Sequence, residues 1–224
     1  MKKYKIIIAD SNRLFAELLK KIITEKTDFE VVSVSSSGVS AIKDSLQYKP
    51  DLLITGSLLP DITMYQVVRE LMRTEKKLSY MFIVKDTDSD LLKFLGNVSS
   101  IGVIKDDTDI EEFLTALSSV SDGDRYISRD ILDELRNLKE DEPVYDVLDS
   151  ITPREREILF WISKGLSNQE IAEKIILSEK TVKNHVSHIL KKLNISDRTK
   201  AAALAWEEGL GFIPEEFFSD GHMW

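Results

Sequence analysis

The sequence contains no cysteine and only three histidines among its 224 residues. Without cysteine there is no disulfide framework, no thiolate metal site and no cysteine nucleophile. Redox proteins and zinc fingers are therefore excluded. Because the sequence also offers no nucleophile–base pair and no metal cluster, we expect no enzyme, no metal site and no cofactor.

Long apolar runs are missing as well. The opening Met1-Lys2-Lys3 resembles the start of a signal peptide, but the apolar stretch at 6–9 is too short and meets Asp10 at once. No run elsewhere is long enough to span a bilayer. We therefore expect a cytoplasmic protein that does not act at a membrane.

Acidic residues outnumber basic ones by 39 to 30, which gives a formal net charge of −9 at pH 7. This excess is unevenly distributed. Residues 150–200 hold ten basic and six acidic residues, whereas 121–149 hold four and ten. The overall acidity argues against a general nucleic-acid coat protein, but the basic island at 150–200 can still bind phosphates.

The first half alternates short apolar runs with amphipathic helical stretches. Five strand–helix units fit this alternation, with strands at 4–9, 29–34, 52–55, 80–84 and 101–104 and helices at 12–24, 39–48, 63–73, 89–96 and 109–120. The pattern predicts an α/β fold, a parallel doubly wound sheet with helices on both faces. Ligands of such sheets bind at the carboxyl ends of the strands. Those ends carry Asp10, Gly56, Lys85 and Lys105.

Several short segments of this half follow a known family pattern. They are Ile6-Ile7-Ile8-Ala9-Asp10, Lys49-Pro50-Asp51-Leu52-Leu53, Pro60 and Ile104-Lys105-Asp106. Through them, residues 3–121 resemble the receiver domain of bacterial two-component response regulators. The resemblance implies a five-stranded, flavodoxin-like or CheY-like sheet. It also implies a site with two adjacent carboxylates that hold Mg²⁺, an aspartate that accepts a phosphoryl group and a hydroxyl residue that acts as a switch.

The residues at these family positions differ from the family pattern. The acceptor position falls on Gly56, which has no side chain, and Ser11 replaces the second acid. The switch position falls on Lys85, two residues before Thr87. A single aspartate, Asp10, is a poor site for a strongly hydrated dication. The resemblance thus implies an atypical, degenerate receiver without ordinary phosphorylation.

The charged groups that remain at this site allow more than one interpretation. A contact of Asp10 with Lys105, and with Lys85, would hold the domain in one conformation without phosphate. Alternatively the contact is a remnant, because partly exposed ion pairs often contribute under about 1 kcal/mol. Two further alternatives are phosphorylation on Asp10, Asp61 or Asp86, and a receiver that senses a small anionic ligand or a protein partner.

Residues 123–147 are interpreted as an acidic linker with one helix. The helix is predicted from Ser128 to Lys139, with Ile131, Leu132 and Leu135 on one side. A solvated connector is the favoured interpretation. Docking of this segment on the basic island, as an autoinhibitory contact, is the alternative.

Two capping boxes mark helices in the second half. Thr152-Pro153-Arg154-Glu155 opens a helix that ends at Gly165, and Ser167-Asn168-Gln169-Glu170 opens a short second helix. Ser178 then caps a third helix that runs to about Leu193. Two helices joined by a tight turn predict a helix-turn-helix.

The third helix has one apolar and one polar face. With about 100° per residue, one arc collects the apolar residues Val182, Val186, Ile189, Leu190 and Leu193. The opposite arc holds Lys180, Lys183, Asn184, Ser187 and Lys191, flanked by Thr181, His188 and Lys192. Lysines neutralise phosphates and an asparagine pairs with adenine, so this composition is typical of a major-groove reader. A solvated face is the alternative for any run of lysines.

Residues 150–210 closely resemble the NarL/LuxR (FixJ) type of DNA-binding domain. The similarity runs through 152–157, 165–172, 178–186 and Asp197-Arg198-Thr199. It implies base contacts from Lys183, Asn184 and Ser187. It implies phosphate contacts from Ser178, Lys180, Thr181 and Lys191, with Lys192 on the same surface. A fourth, alanine-rich helix is predicted at 198–210, and the resemblance implies that it forms a homodimer, which would read an inverted-repeat-like operator.

Together these features divide the chain into a receiver-like domain at 1–122, a linker at 123–147, a helix-turn-helix domain of four helices at 148–211 and an aromatic, acidic tail at 212–224. The tail, with Phe212, Ile213, Phe217, Phe218 and Trp224, is predicted to pack on the fourth helix; extension of the dimer contact is the alternative. The predicted function is sequence-specific, phosphorylation-independent regulation of transcription. The first rival is a regulator that accepts a phosphoryl group on Asp10, Asp61 or Asp86, and the second is a protein-interaction module in which DNA binding is secondary.

Overall fold

The computed structural model describes residues 3–74, 77–87, 91, 95, 100–137, 147–215 and 218. The chain forms two compact units, Met1–Val144 and Tyr145–Trp224. None of the described helices has the length and apolar character needed to cross a membrane.

The first unit is built on one parallel sheet. Its strands are β1 (Lys5–Ala9), β2 (Glu30–Ser35), β3 (Leu52–Gly56), β4 (Ser79–Val84), β5 (Ile101–Lys105) and β6 (Tyr126–Ile127), in the order β2-β1-β3-β4-β5-β6. The described helices are α1 (Arg13–Lys26), α2 (Gly38–Tyr48), α3 (Met64–Thr74), α4 (Ile110–Ser121) and α5 (Arg129–Asn137). The predicted parallel α/β sheet is confirmed. Strand order reverses beside β1, which places the crevice of the sheet at the carboxyl ends of β1 and β3.

Burial explains why these segments form strands. All five residues of β3 and the last five of β4 are buried, as expected for strands covered on both faces. On one face, Ile6, Ile54 and Ile83 pack against α1 and α4 residues such as Ile23 and Phe113. The helix predicted at 89–96 falls largely outside the described residues, although Leu91 and Leu95 are helical and buried.

The segment interpreted as a linker is partly integrated into the sheet, so that interpretation is wrong for 126–137. Tyr126 and Ile127 pair with β5 as a sixth strand, and the Ser128 N–H donates to the Val103 carbonyl at 3.0 Å. Ile131 of α5 is fully buried. A five-stranded sheet leaves the outer edge of β5 open, and this short strand covers it. The predicted helix is confirmed as α5, while 138–146 lie outside the described residues.

The second unit is helical. It contains α6 (Pro153–Ser163), α7 (Asn168–Lys174), α8 (Glu179–Lys192) and α9 (Arg198–Glu207), with 3-10 turns at Val147–Ser150 and Leu210–Phe212. Both predicted capping boxes form, on Thr152 and on Ser167. Gly165 has φ +83°, the left-handed conformation in which a helix commonly ends.

The fourth helix and the tail complete the core of this unit. Ala201 and Ala205 are fully buried where α9 packs against α6, so part of the alanine-rich surface is used within the unit. Phe212 meets the Trp206 ring edge-on, and Phe218 stacks on Phe160 with centroids 4.1 Å apart. The described part of the tail therefore packs back on the unit. Phe217 and Trp224 lie outside the described residues.

Candidate nucleic-acid interface and altered receiver site

The carboxyl ends of β1 and β3 bring Asp10 and Gly56 together. Ala9 lies opposite Thr55 in the sheet, so the residues that follow them are neighbours. A Cβ atom built on Gly56 would lie 2.1 Å from Asp10 Oδ2. The carboxylate of Asp10 therefore fills the space that any side chain at position 56 would need.

Asp10 is partly buried, and its carboxylate accepts one hydrogen bond from the described residues. The Asn12 N–H donates to Asp10 Oδ1 at 2.6 Å. Burial raises the pKa of Asp10, and the hydrogen bond from Asn12 only partly opposes this effect. Within the described part of the chain Asp10 forms no ion pair, so the predicted contact with Lys105 and Lys85 is wrong. Its raised pKa agrees with a carboxylate that has no cation beside it.

Lys105 instead pairs with a carboxylate from α5. Its ammonium lies 2.5 Å from Glu134 Oε1 and donates to the Lys85 carbonyl at 3.1 Å. The hydroxyl of Thr87 donates to the other oxygen, Glu134 Oε2, at 2.8 Å. The side chain of Lys85, directly after β4, is exposed. Sequence reasoning missed Glu134 because it placed the residue in a solvated linker.

The pKa values of this pair shift in opposite directions. The hydrogen bond to Glu134 is the main reason why the pKa of Lys105 lies above its ordinary value. For Glu134 the hydrogen bond from Lys105, followed by that from Thr87, lowers the pKa. Each charge therefore stabilises the other, although exposure of both side chains to solvent limits the gain.

Asp61 and Asp86, the other acids considered as phosphoryl acceptors, differ in their surroundings. Asp61 accepts backbone hydrogen bonds from Gly38 at 2.7 Å, Val39 at 3.0 Å and Ile62 at 2.9 Å. Burial works to raise the pKa of Asp61, but these hydrogen bonds outweigh it and leave the pKa below its ordinary value. Asp61 is thus committed to the amino terminus of α2. Asp86 is exposed.

The donors at this site do not fit the Mg²⁺ ion that a conventional receiver holds. Mg²⁺ needs several oxygen ligands in near-octahedral geometry. Here Asp10 supplies one carboxylate, Ser11 is exposed and Gly56 has no side chain. In the described ranges, no three or more His, Cys, Asp or Glu side chains are grouped so that they could hold a metal ion.

In the second unit, α8 presents the polar face predicted from its sequence. Ser178 caps the helix by accepting from the Thr181 N–H at 3.1 Å, and the two hydroxyls are 2.7 Å apart. Val182, Ile189 and Leu193 are buried, whereas Val186 and Leu190 are half-buried, which confirms the apolar stripe.

The opposite face of α8 is open to solvent. Its exposed residues are Lys180, Lys183, Asn184, Ser187 and Lys191. Lys183 forms a surface ion pair with Glu179 at 2.7 Å, and the Ser187 hydroxyl donates to the Lys183 carbonyl at 3.0 Å. Exposed pairs of this kind are weak and readily exchanged for another anion. The face therefore offers several exposed cations and one amide on a single side of a helix.

Lys192 has a different neighbour from the other lysines. Its ammonium lies 2.7 Å from Glu155 Oε2, and the Glu155 residue is only 3% exposed. Burial works to raise the pKa of Glu155, but hydrogen bonds from Lys192 and Thr152 outweigh it and keep the pKa low. Lys192 therefore holds α8 against the start of α6.

Two arginines that lie outside α7 and α8 donate hydrogen bonds to the two ends of α7. The Arg154 guanidinium donates to the Ile175 carbonyl at 2.6 Å, at the end of α7. Arg198 donates to Asn168 Oδ1 at 2.9 Å and to the Leu166 carbonyl, at the start of α7. Burial lowers the pKa of Arg198. Both arginines lie in segments on which the resemblance to the NarL/LuxR domain rests, 152–157 and 197–199. Their spacing in the sequence did not indicate these contacts.

Two protein families match the chain. Residues 6–118 match the response regulator receiver domain, and residues 149–205 match the bacterial regulatory proteins of the luxR family. The first match alone spans half of the chain.

Relatives match over almost the whole length. The transcriptional regulatory protein DegU of Brevibacillus brevis is 29% identical over 223 residues, which cover 92% of this chain and 94% of DegU. The response regulator protein VraR of Staphylococcus aureus is 29% identical over 208 residues, which cover 92% of this chain and 98% of VraR.

Solved structures show the same fold. The response regulator ChrA of a heme-sensing two component system has a TM-score of 0.51 at 24% identity, over 94% of this chain and 100% of ChrA. The two-component response regulator RcsB, in a complex with DNA, has a TM-score of 0.55 at 17% identity, over 94% of this chain and 99% of RcsB. At these identities the likeness concerns the fold alone.

Proposed function

This chain belongs to the two-component response regulators that carry a luxR-type DNA-binding domain, and we propose that it regulates transcription independently of aspartyl phosphorylation. The observation that carries the proposal is the position of Asp10. Its carboxylate fills the space beside Gly56 where the family's phosphoryl acceptor would begin. Gly56 therefore offers no acceptor side chain, and a larger residue there would require the carboxylate of Asp10 to move.

The surroundings of Gly56 support this proposal. The site lacks the oxygen donors that Mg²⁺ requires, and Asp61 is engaged with the backbone of α2. Lys105 is paired with Glu134. The groups that would bind a phosphoryl group in a conventional receiver are thus absent or occupied.

For DNA binding we propose the exposed face of α8 as the reading surface. Lys183, Asn184 and Ser187 are assigned to base edges, because Lys reaches guanine acceptors and Asn pairs with adenine. Lys180 and Lys191 are assigned to phosphates, together with the hydroxyls of Ser178 and Thr181. We assign Lys192 to the support of α8, because its ammonium is paired with Glu155. A two-fold dimer would place two copies of α8 in successive major grooves.

The reading surface is tested by specific and non-specific DNA binding of alanine variants. Asn184→Ala is expected to cost about 1–3 kcal/mol for the specific site and to relax the preference at one base. Lys180→Ala is expected to weaken both kinds of binding. The plot of log affinity against log salt has a negative slope, and this variant should make that slope less steep by about 0.9. Unchanged specific binding in both variants would show that the protein reads DNA elsewhere or acts chiefly through protein contacts.

A second candidate function is phosphorylation on Asp10 itself. The observation that favours it is again the carboxylate of Asp10, which occupies the space of the missing acceptor. Incubation with an acyl phosphate and Mg²⁺ distinguishes the two proposals. We expect no acid-stable, alkali-labile label on the wild-type chain. A label that is lost in Asp10→Asn would establish this second function and overturn the first.

A further inference from the structure

We propose that Glu134 is a built-in anionic ligand of the receiver, which takes the place of an external phosphoryl group on Lys105 and Thr87. In doing so it fixes α5 against the carboxyl ends of β4 and β5. The inference rests on the proposed function in one respect: no phosphoryl group at position 56 competes for Lys105.

Both oxygens of the Glu134 carboxylate are used. Oε1 lies 2.5 Å from the Lys105 ammonium, and Oε2 accepts from the Thr87 hydroxyl at 2.8 Å. The partners come from separate segments, since Lys105 ends β5 and Thr87 follows β4. An ammonium and a hydroxyl around one anion are the kinds of donor that a phosphate would also use. The carboxylate thus saturates an anion site from within the chain.

The position of Glu134 on α5 makes this contact part of a docked helix. Ile131 is fully buried, and Glu134 follows it by three residues, so both lie on the same side of the helix. Strand β6 and the hydrogen bond from Ser128 to Val103 anchor the start of α5. Glu134 adds a second anchor one turn later.

The contact also holds the chain after β4. Lys105 donates to the Lys85 carbonyl while it pairs with Glu134, and Thr87 binds the same carboxylate. Residues 85 and 87 are therefore linked to α5 through one acid. Because Glu134 belongs to the same chain, its effective concentration at Lys105 is in the mM range or above. Free phosphate that bound Lys105 no more tightly than the carboxylate would need a comparable concentration to displace it.

Hydrogen exchange of the full chain tests the docking directly, since it reports local opening of α5. Glu134→Gln removes the charge with almost no change in size, and Lys105→Met removes its partner. Each variant is expected to speed exchange of the amides in 129–137 about two- to fivefold, the range of a partly exposed ion pair. The exchange rates of the double variant are expected to match those of the single variants, because Glu134→Gln and Lys105→Met each remove the same ion pair. Thr87→Val is expected to give a smaller increase.

Asp124→Asn is the matched control. Asp124 is an exposed acid just before β6 and outside α5, so its removal changes the net charge equally but leaves both the Glu134 contact and the first turn of α5 intact. We expect wild-type exchange in this variant, and urea unfolding confirms that each variant remains folded. Wild-type exchange of α5 in Glu134→Gln, or additive effects in the double variant, would overturn the proposal.

Adding beryllofluoride and Mg²⁺, as a phosphoryl mimic, separates failure of this proposal from failure of the proposed function. If the mimic alters DNA affinity of the wild type while Glu134→Gln still loosens α5, the docking stands and phosphorylation independence fails. If the mimic has no effect while Glu134→Gln exchanges like the wild type, phosphorylation independence stands and the docking fails.

Discussion

At Gly56 the lack of a Cβ atom leaves room for the carboxylate of Asp10, whose Oδ2 would lie 2.1 Å from such an atom. Gly56→Ala is therefore expected to force the Asp10 carboxylate to rotate away, at a cost of about 1 kcal/mol in the free energy of unfolding, because only the end of a flexible side chain has to move. Urea unfolding measures this cost. Asp10→Ala removes the carboxylate, so the same substitution at 56 should cost much less in that background. An equal cost in both backgrounds would mean that the two residues do not compete for space.

The raised pKa of Asp10 gives a pH-dependent prediction. Because burial favours the protonated acid, the stability that this group contributes is present below its unfolded pKa of about 3.9 and is lost as the pH rises through the folded value. Asp10→Asn should therefore raise the free energy of unfolding at neutral pH, by about 1 kcal/mol or less. The difference should shrink as the pH is lowered towards about 4. A constant or opposite difference across this range would contradict the assignment.

Neighbouring lysines on α8 are predicted to have separable roles. Lys192→Met leaves the buried carboxylate of Glu155 without its cation and should lower the free energy of unfolding by about 1–3 kcal/mol. Lys191→Met should change stability by no more than about 0.5 kcal/mol but should weaken DNA binding. Urea unfolding and DNA titrations on both variants check this. If Lys191→Met lowered the stability and Lys192→Met weakened DNA binding instead, the roles assigned to the two lysines would have to be exchanged.

At the scale of elements, the turn between α7 and α8 contains a strained residue. Ile176 has φ 56° and is 91% exposed, although a β-branched side chain is disfavoured in this left-handed conformation. Ile176→Gly should therefore raise the free energy of unfolding by about 1 kcal/mol. The turn after α8 provides the comparison, because there Asn194 has φ 53° and asparagine tolerates it. Lower stability of Ile176→Gly would show that the exposed side chain makes a contact that offsets the strain.

Elements with a strong local signal were predictable from the sequence. The capping boxes at Thr152 and Ser167 located the starts of α6 and α7, because capping depends on residues only three positions apart. Strand β6 was missed, because two residues carry no periodic pattern and pair only through the open edge of β5. The same omission left α5 in a linker.

In the receiver site, too, some features were predictable from the local sequence and others were not. The sequence was enough to predict that Gly56 lies at the carboxyl end of β3, because this depends on one residue type at one position; that this glycine replaces an acceptor stays a proposal. The partner of Lys105 depends on which segment docks at the strand ends, and Glu134 is 29 residues away in the chain. Proximity at that separation is set by the tertiary fold, and no local pattern contains it.

For the whole molecule, the charges of the two halves serve different purposes. The basic island at 150–200 contains α8 with its exposed lysines, whereas the rest of the chain is acidic. Local positive charge attracts the phosphate backbone, and the surrounding acidity limits indiscriminate binding. The exposed polar face of α8 and the glycine at the end of β3 are both consistent with the proposed regulator, whose output would follow its concentration or its partners.

The most direct test of this account compares DNA affinity and oligomeric state of the full chain with and without beryllofluoride and Mg²⁺. The account predicts the same affinity for a specific site and the same oligomeric state under both conditions. A rise in affinity or a shift to a larger oligomer when the mimic is added would contradict it, and loss of that response in Asp10→Asn would identify Asp10 as the acceptor.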